Sequence, residues 1–257
     1  MKRLYLLGLL CVLFITGQAQ KQDSIRVLFI GNSYTYYNDL PEMLRELGKT
    51  QNMNFAIGRV LKGGERFSGH LKNPKLRSVL QRKWDYIILQ EQSTLPASPT
   101  AQVLRDCYPY AHALNSLIHV DSPQAKVIFY MTWGHKYGTV HDKKGTYPLR
   151  DSYDGMQERL KTSYLEMTYD NNAWCAPVGM AWKKVRELHP EYSLYVQDTY
   201  HPSPVGSYLA ANVIFTTICQ KHYQSDYAAN LDANMVEILQ QIAQNTVLEN
   251  LELLNIR

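Results

Sequence analysis

Short, largely apolar runs recur along the chain and alternate with longer segments in which apolar residues return at helical spacing. The first run, 25–31 (IRVLFIG), ends in glycine and is typical of a strand buried on both faces of a parallel sheet. Runs of the same kind predict four further strands, over 54–61, 84–90, 126–133 and 173–179.

Helical spacing is clearest over 39–53 (DLPEMLRELGKTQNM), where Asp39 suits the N-cap, Pro41 suits the first turn and the apolar residues form one stripe. Helical patterns also cover 100–119, 151–169, 179–189, 206–222 and 232–246, and those over 179–189 and 206–222 predict amphipathic helices.

Strands that alternate with helices predict an α/β fold in which a parallel sheet is covered on both faces. Ligands of such sheets bind outside the carboxyl ends of the strands. Ser33 follows the first strand, Gly63 and Gly64 follow the second, and Gln90 ends the third, so we expect all of them to face one crevice. The polar, glycine-rich segment 134–148 is expected to project as a loop after the fourth strand.

The amino terminus has the pattern of a cleavable export signal. Lys2 and Arg3 precede an apolar run over 4–16, and small residues follow at Gly17 and Ala19. We therefore predict a signal peptide over 1–19 and one mature domain over 20–257, exported to the periplasm or the extracellular space; an uncleaved anchor is the alternative. Cys11, within the apolar run, is interpreted as a bystander.

The composition is that of an ordinary globular protein, with 257 residues, 45% hydrophobic and 19% charged. Loss of the two basic residues with the signal lowers the formal net charge from +4 to +2, and no run of Lys and Arg remains. Nucleic acid is therefore not expected as a partner, and no membrane association is expected after signal cleavage.

The mature chain keeps three cysteines, Cys107, Cys175 and Cys219, whose spacing fits neither a zinc site nor a disulfide framework. The contexts of Cys175 and Cys219 are those of small core residues, and one disulfide remains open in an oxidising compartment. Neither a His-Glu-x-x-His metal motif nor a Gly-x-Gly-x-x-Gly phosphate loop is present, so neither a metal nor a cofactor is expected.

Two short polar motifs carry candidate chemistry. Gly31-Asn32-Ser33 follows the first strand, and by itself would be an ordinary turn. A serine nucleophile needs a base, usually a histidine oriented by a carboxylate. Asp198 lies three residues before His201 in a turn stiffened by proline. By itself that motif is more typical of a helix-capping loop with a solvated histidine.

Taken together, these motifs resemble those of the SGNH (GDSL-type) hydrolases, serine esterases with a flavodoxin-like, three-layer α/β/α fold and a central parallel sheet of about five strands. The nucleophile block is Gly31-Asn32-Ser33, with Asn32 in place of the usual aspartate. Gly64, in LKGGERFSGH, matches the glycine block, and the last block is complete as Asp198, His201, Pro202 and Gly206. The resemblance implies Ser33 as nucleophile, His201 as base and Asp198 as its orienting carboxylate.

The third block departs from the family pattern, in which Gly-x-Asn-Asp follows the third strand and the asparagine donates to the oxyanion. Here the strand ends WDYIILQEQS. Gln90 resembles a glutamine that some carbohydrate-directed members carry at this point, and Gln92 is the second candidate. The resemblance thus implies an oxyanion hole formed by the backbone N–H groups of Ser33 and Gly64 and by the side chain of Gln90.

Several further side chains are candidates for substrate binding. Asn32, Tyr34, His70, Gln92 and Trp133 all lie in or near the motifs. For His70 the alternative is a helix cap, for Trp133 a core aromatic instead of a sugar-stacking platform, and for at least one of Tyr34, Tyr36 and Tyr37 plain packing. Asn32 is expected to tie down the turn, and His135 and His141 to be solvated on the projecting loop.

The resulting expectation is an exported serine esterase that removes short acyl groups, acetate above all, from a small-molecule or polysaccharide ester. Two other classes remain. A lipase or thioesterase would use the same triad but would need an apolar acyl groove beside Ser33. A non-catalytic glycan-binding module would keep the sheet and lose the geometry of the triad.

Overall fold

The computed structural model describes residues 24–139 and 150–256. The predicted signal peptide over 1–19 and its alternative, an uncleaved anchor, lie outside these residues, as do Cys11 and His141. Among the helices of the described ranges, none has the length and apolar character that crossing a membrane requires.

A parallel sheet of five strands in the order β2-β1-β3-β4-β5 forms the centre of the molecule. The strands are β1 (Ile25–Gly31), β2 (Phe55–Leu61), β3 (Tyr86–Leu89), β4 (Lys126–Tyr130) and β5 (Trp174–Ala176). Each of the five runs predicted as strands contains a strand, because helices cover the apolar side chains on both faces of the sheet. In β1, for example, Val27 to Ile30 are fully buried. This order is that of flavodoxin-like sheets, as predicted.

Ten α-helices occur in the described ranges: α1 (Ser33–Tyr36), α2 (Leu40–Thr50), α3 (Phe67–His70), α4 (Pro74–Leu80), α5 (Thr100–Asp106), α6 (Tyr108–Asp121), α7 (Tyr153–Asp170), α8 (Val178–Leu188), α9 (Pro204–Cys219) and α10 (Ala233–Leu248). Asp39 caps α2 as predicted, its carboxylate accepting from the N–H of Glu42 at 3.2 Å. The helices cover the sheet in a three-layer sandwich, which confirms the predicted fold class.

Two helical predictions differ from the structure. The pattern over 100–119 forms two helices, α5 and α6, because the chain turns at Cys107. The prediction of an amphipathic helix over 206–222 is wrong, since α9 is buried continuously from Gly206 to Ile218. It packs against α2, α8, α10 and β5, so that no face is left for solvent. The short helices α1, α3 and α4 were not predicted.

The three cysteines within the described ranges are free thiols, and the sulfur of Cys107 contacts that of Met167 at 3.7 Å. Cys107 and Cys175 are buried in the core and Cys219 is partly buried. The disulfide that the sequence left open is therefore not formed in this structure.

Candidate active site

Ser33 lies where β1 passes into α1, and Asn32 fixes this turn. The Asn32 side-chain oxygen accepts from the N–H of Tyr34 at 3.2 Å, and its amide nitrogen donates to the carbonyl of Glu65 at 3.0 Å. Asn32 is therefore the N-cap of α1 and also ties the nucleophile turn to the loop after β2. Both polar atoms of the Asn32 side chain thus form hydrogen bonds within the protein, which agrees with the expectation that Asn32 holds the turn.

The chain brings Ser33, His201 and Asp198 into one hydrogen-bonded row. Ser33 Oγ lies 2.8 Å from His201 Nε2, and His201 Nδ1 lies 2.6 Å from Asp198 Oδ2. Because a carboxylate accepts only, Nδ1 carries the proton, and Nε2 is left to accept from the serine hydroxyl. This arrangement can remove a proton from Ser33 Oγ as that oxygen attacks an electrophile.

Asp198 is held in its ionised form. Its Oδ1 accepts from the N–H groups of Tyr200 at 3.0 Å and His201 at 2.9 Å. Partial burial acts to raise the pKa of Asp198, but these backbone donors and the His201 imidazole hold that pKa below its usual value. An ionised carboxylate stabilises the imidazolium that forms when His201 takes a proton.

The loop that carries Asp198 and His201 is anchored from both sides. Thr199 has a φ of 72°, in the left-handed region that a β-branched residue rarely adopts. The Thr199 carbonyl accepts from the N–H of Lys136 at 2.8 Å, and the Tyr200 carbonyl accepts from the Trp133 indole at 3.0 Å. These two bonds maintain a turn tight enough for Asp198 to reach the imidazole three residues further on.

Tyrosine rings surround the imidazole and form the mouth of the site. The ring of Tyr37 stacks on that of His201 with centroids 4.3 Å apart and planes inclined by 5°, and Tyr200 lies at 4.4 Å. Tyr36 is 43% exposed and Tyr200 is 36% exposed. The Tyr36 hydroxyl reaches the glycine loop, since a Cβ added at Gly63 would lie 3.1 Å from it. We call Tyr36, Tyr37 and Tyr200 the tyrosine rim.

A small cavity of about 210 Å³ opens beside the serine. Its lining residues come from the carboxyl ends of β1, β2 and β3 and from the histidine loop: Asn32, Ser33, Tyr34, Gly64, Gln92, Ser93, Tyr200 and His201. Gly64 has a φ of 65°, which glycine adopts without strain. Within 24–139 and 150–256, the backbone N–H groups of Ser33 and Gly64 have no acceptor, so both are free to meet an oxyanion.

The structure corrects the expectation for Gln90. This side chain is fully buried under the nucleophile turn and does not line the cavity. Its carbonyl oxygen accepts from the N–H of Asn32 and from the hydroxyl of Thr35, both at 2.9 Å, and its amide nitrogen donates to the carbonyl of Glu91. Because Gln90 is fully buried and outside the cavity lining, its amide does not face an oxyanion there and instead fixes the turn.

Gln92 lines the cavity in its place. Its carbonyl oxygen accepts from the N–H and the hydroxyl of Thr94 and from the N–H of Leu95, each at 3.0 Å. Three donors thus fix the oxygen, which orients the amide nitrogen away from them. That nitrogen makes only a long contact of 3.4 Å with Ser93 Oγ, so Gln92 still has an N–H to donate.

His70 and Trp133 lie in the core, not in the crevice. His70 Nε2 is 3.0 Å from the carbonyl of Gly31 and must donate to it, and burial lowers the pKa of this fully buried imidazole. Trp133 is stacked between Tyr34, at 4.6 Å, and Trp182, at 3.8 Å. A fully buried indole cannot stack on a sugar, so the substrate-binding expectations for His70 and Trp133 are corrected.

His135 also differs from its expectation of a solvated residue. It is partly buried with its ring 5.2 Å from that of Tyr200, and burial lowers its pKa to about 4. The ring is therefore neutral at physiological pH and packs behind the tyrosine rim. Tyr34 lines the cavity but is 1% exposed, so it contributes mainly packing.

Three features of the site have no counterpart in the sequence predictions: the stacking of Tyr37 on His201, the placement of Tyr200 at the mouth, and a buried carboxylate, Glu91, behind Gln92. A signal existed for Glu91, because this charged residue lies only two positions after the apolar end of a central strand. In the part of the chain that the structure describes, no three His, Cys, Asp or Glu side chains form a group that could hold a metal ion.

Solved structures with the same fold include SGNH-type hydrolases. A protein of Slackia heliotrinireducens, provisionally described as an SGNH hydrolase, is 27% identical and superposes with a TM-score of 0.61 over 76% of this chain and 100% of its own. Together with the fold, this similarity supports an ester hydrolase of the SGNH/GDSL type. No protein-family model and no curated protein matches its sequence.

Two other solved structures share this fold. A DUF4886 family protein from Bacteroides uniformis is 20% identical, with a TM-score of 0.70 over 88% of this chain and 95% of its own. A catalytic mutant of an acetylxylan esterase from Geobacillus stearothermophilus is 16% identical, with a TM-score of 0.53 over 78% of this chain and 97% of its own. At these identities the likeness concerns the fold alone.

Proposed function

We propose that this SGNH hydrolase is an exported serine esterase that removes short acyl groups, acetate above all, from carbohydrate by way of an acyl-enzyme on Ser33. The observation that carries the proposal is the continuous row from Ser33 Oγ through His201 to Asp198, with distances of 2.8 and 2.6 Å, beside a small polar cavity.

In the acylation step, Ser33 Oγ attacks the ester carbonyl while its proton passes to His201 Nε2. Asp198 holds the imidazole in the required tautomer and stabilises the resulting cation. The carbonyl oxygen becomes an oxyanion, which the N–H groups of Ser33 and Gly64 and the amide of Gln92 stabilise. Collapse of the tetrahedral intermediate breaks the ester bond, and the leaving alkoxide takes the proton from His201.

In the deacylation step, a water molecule replaces the alcohol. His201 Nε2 removes a proton from that water as its oxygen attacks the acyl carbonyl of Ser33. The second tetrahedral intermediate uses the same three donors. Its collapse breaks the bond between the acyl carbon and Ser33 Oγ, the serine oxygen takes the proton back from His201, and the carboxylic acid leaves.

The size and polarity of the cavity support a short acyl group. Its volume of about 210 Å³ is below the several hundred Å³ of pockets that enclose larger ligands. Its lining is dominated by polar side chains and backbone, whereas a long acyl chain needs an apolar groove to compensate for the surface it removes from water. These features favour acetate over the acyl chains that a lipase or thioesterase would bind.

The tyrosine rim supports a carbohydrate as the alcohol half of the ester. Tyrosine combines an apolar ring face with a polar hydroxyl, which suits the apolar faces and hydroxyl groups of a sugar ring. Tyr200 presents such surface in the lining of the cavity, and Tyr36 presents it beside Tyr37 and the glycine loop. The fold shared with an acetylxylan esterase makes acetylated polysaccharides the first substrates to try.

The direct test is a screen of the purified mature chain on p-nitrophenyl esters of graded acyl length, together with acetylated xylan and other acetylated sugars. We expect kcat/KM to be highest for the acetyl ester and to fall steadily as the acyl chain lengthens past the capacity of the cavity. A maximum at octanoate or longer would contradict the proposed acyl specificity while leaving the serine mechanism intact.

The tyrosine rim gives a separate prediction about the alcohol. Replacement Tyr36→Ala removes an exposed ring from the mouth, so KM for acetylated xylooligosaccharides should rise roughly tenfold, as expected for the loss of one stacking contact. The KM for p-nitrophenyl acetate should stay within about twofold, because that small ester does not extend to the rim.

Tyr169→Ala is the control for this variant. Tyr169 is 51% exposed and lies in the last turn of α7, shortly before β5 and outside the lining of the cavity. It should leave both KM values unchanged. Equal increases in KM for the two substrates in Tyr36→Ala would point to damage at the catalytic row and not to loss of a sugar contact.

Export gives a further prediction. If 1–19 is a cleaved signal, the protein recovered from the periplasm or medium begins at or near Gln20. Amino-terminal sequencing of that fraction decides the matter. Soluble protein that retains Met1 and stays inside the cell would refute export without affecting the proposed chemistry.

A further inference from the structure

A fully buried carboxylate, that of Glu91, lies directly behind the cavity. Its Oε1 accepts from the N–H of Gln92 at 2.6 Å and from that of Phe67 at 3.2 Å, and its Oε2 lies 3.2 Å from the same Phe67 N–H. Throughout 24–139 and 150–256 no Lys or Arg forms an ion pair with it. Its charge is thus satisfied by backbone donors alone.

The two donors belong to the two segments that would supply the oxyanion hole. Gln92 carries the amide of the proposed side-chain donor, and its own backbone N–H is the one that Glu91 holds. Phe67 is the first residue of α3 and directly follows the loop over 62–66 that carries Gly64. One carboxylate therefore connects the glycine loop to the end of β3, on the side of the cavity away from solvent.

A second bond fixes the same loop to the nucleophile turn. The amide of Asn32 donates to the carbonyl of Glu65, two residues before Phe67. The glycine loop is thus held at one point by the turn of Ser33 and at another by Glu91. With both bonds in place, the N–H of Gly64 has a defined position relative to Ser33, which an oxyanion donor requires.

The carboxylate is costly to keep. Burial raises the pKa of Glu91 to about 7, and the two backbone donors oppose that shift only in part. Of the groups that face it, Arg66 favours the charged form and Glu65 opposes it. Cys107, at the junction of α5 and α6, and Tyr164, on α7, also interact with Glu91, and burial keeps both neutral by raising their pKa values.

We propose that Glu91 is a positioning residue of the oxyanion hole, whose carboxylate sets the relative position of the Gly64 N–H and the Gln92 amide by holding the backbone of both segments. This inference rests on the proposed function. A purely structural glutamate would raise stability. A positioning glutamate with a buried, unpaired charge lowers stability and raises the rate, and these opposite signs separate the two roles.

Glu91→Gln tests the proposal, because the amide has nearly the same shape but carries no charge and places an NH₂ group against the Phe67 N–H. We expect kcat for p-nitrophenyl acetate at pH 8 to fall roughly tenfold to a hundredfold, the scale for misplaced catalytic groups, with KM within about twofold. At the same pH, the Tm of Glu91→Gln should be higher than that of the wild type, because the variant no longer buries a charge.

The pH dependence of that gain in Tm is a second readout. Because the pKa of Glu91 is raised on folding, its cost to stability is absent below the ordinary glutamate pKa and complete above pH 7. The Tm advantage of Glu91→Gln over the wild type should therefore be largest at pH 8 and disappear towards pH 4. A glutamate that only stabilises the fold would give a Tm deficit at pH 8.

Two parallel variants make the outcomes distinct. Glu158→Gln removes a charge from an exposed pair with Lys183 on α7 and α8, and should change neither kcat nor the pH dependence of Tm. Ser33→Ala tests the proposed function itself. If Ser33→Ala is inactive, three results for Glu91→Gln would overturn the role of Glu91 alone: a wild-type kcat, a lowered Tm at pH 8, or no folded state. If Ser33→Ala is active, both the role of Glu91 and the proposed function are overturned.

Discussion

Replacement of Ser33 by alanine is expected to lower kcat on p-nitrophenyl acetate by about 10⁴- to 10⁶-fold, the range seen when a serine triad loses its nucleophile. The fold should be retained, because within the described ranges the Ser33 side chain hydrogen-bonds to His201 alone. KM should change little, since the hydroxyl acts on the reacting carbon and contributes little to binding the ester. Steady-state kinetics and a thermal melt on the same preparation check both statements.

The paired variant His201→Ala should lose a similar factor, and the double variant should be no slower than either single one, because the two groups act as a unit. Ser78→Ala and His189→Ala are matched controls. Ser78 is an exposed serine of α4, and His189 is a surface histidine that pairs with Glu191. Wild-type turnover by Ser33→Ala, or additive losses in the double variant, would remove the proposed mechanism.

The second large effect is expected at Gln92. If its amide stabilises the oxyanion, Gln92→Ala should lower kcat by roughly 10²- to 10³-fold, about 3–4 kcal/mol, with KM nearly unchanged. Gln92→Glu is the sharper variant, because a carboxylate can still accept from Thr94 and Leu95 but has no N–H to donate. It should lose at least as much turnover while keeping the loop folded.

Gln90→Ala should behave differently. It deprives the buried N–H of Asn32 and the hydroxyl of Thr35 of their acceptor, and each unsatisfied group costs about 1–3 kcal/mol of the free energy of unfolding. Stability should therefore fall more than kcat per folded molecule. Kinetics normalised to the folded fraction compare the two positions. Full activity in Gln92→Glu, with a large loss of kcat at normal stability in Gln90→Ala, would return the oxyanion role to Gln90.

The sequence predicts the sheet well because a central parallel strand is apolar on both faces. Short, continuous apolar runs such as 25–31 are typical of such strands. The sequence also identifies the three residues of the hydrogen-bonded row, Ser33, His201 and Asp198. The strand-end rule places Ser33 at the carboxyl edge of the sheet, and Asp198 lies near His201 in one short loop. It is the resemblance to the SGNH blocks that joins this loop to Ser33.

Which glutamine faces the cavity is decided by contacts that are remote in sequence. The strand β3 ends at Leu89, and Gln90 is then captured by Asn32 and Thr35, almost sixty residues earlier, as the separations of 58 and 55 positions show. No local pattern contains this information. The error for Trp133 has the same origin, because Trp182 and Tyr34 cover it from other parts of the chain.

The helix α9 shows a different limit. Periodicity identifies the inward side of a helix only when the opposite side meets water. With neighbours on every side, α9 has apolar or small residues at nearly all positions, and the residual periodicity of its sequence does not describe its surroundings. A nearly continuous apolar composition over 206–219 was the more informative signal.

The stack of Tyr34, Trp133 and Trp182 has a spectroscopic consequence. The two indoles lie face to face at 3.8 Å, with planes inclined by 6°, and therefore absorb ultraviolet light as an electronically coupled pair. The third ring belongs to the residue after Ser33, and the same indole of Trp133 holds the carbonyl next to His201. The near-ultraviolet circular dichroism signal thus monitors the turn of Ser33 and the histidine loop together. The signal can also be measured in variants that have lost turnover.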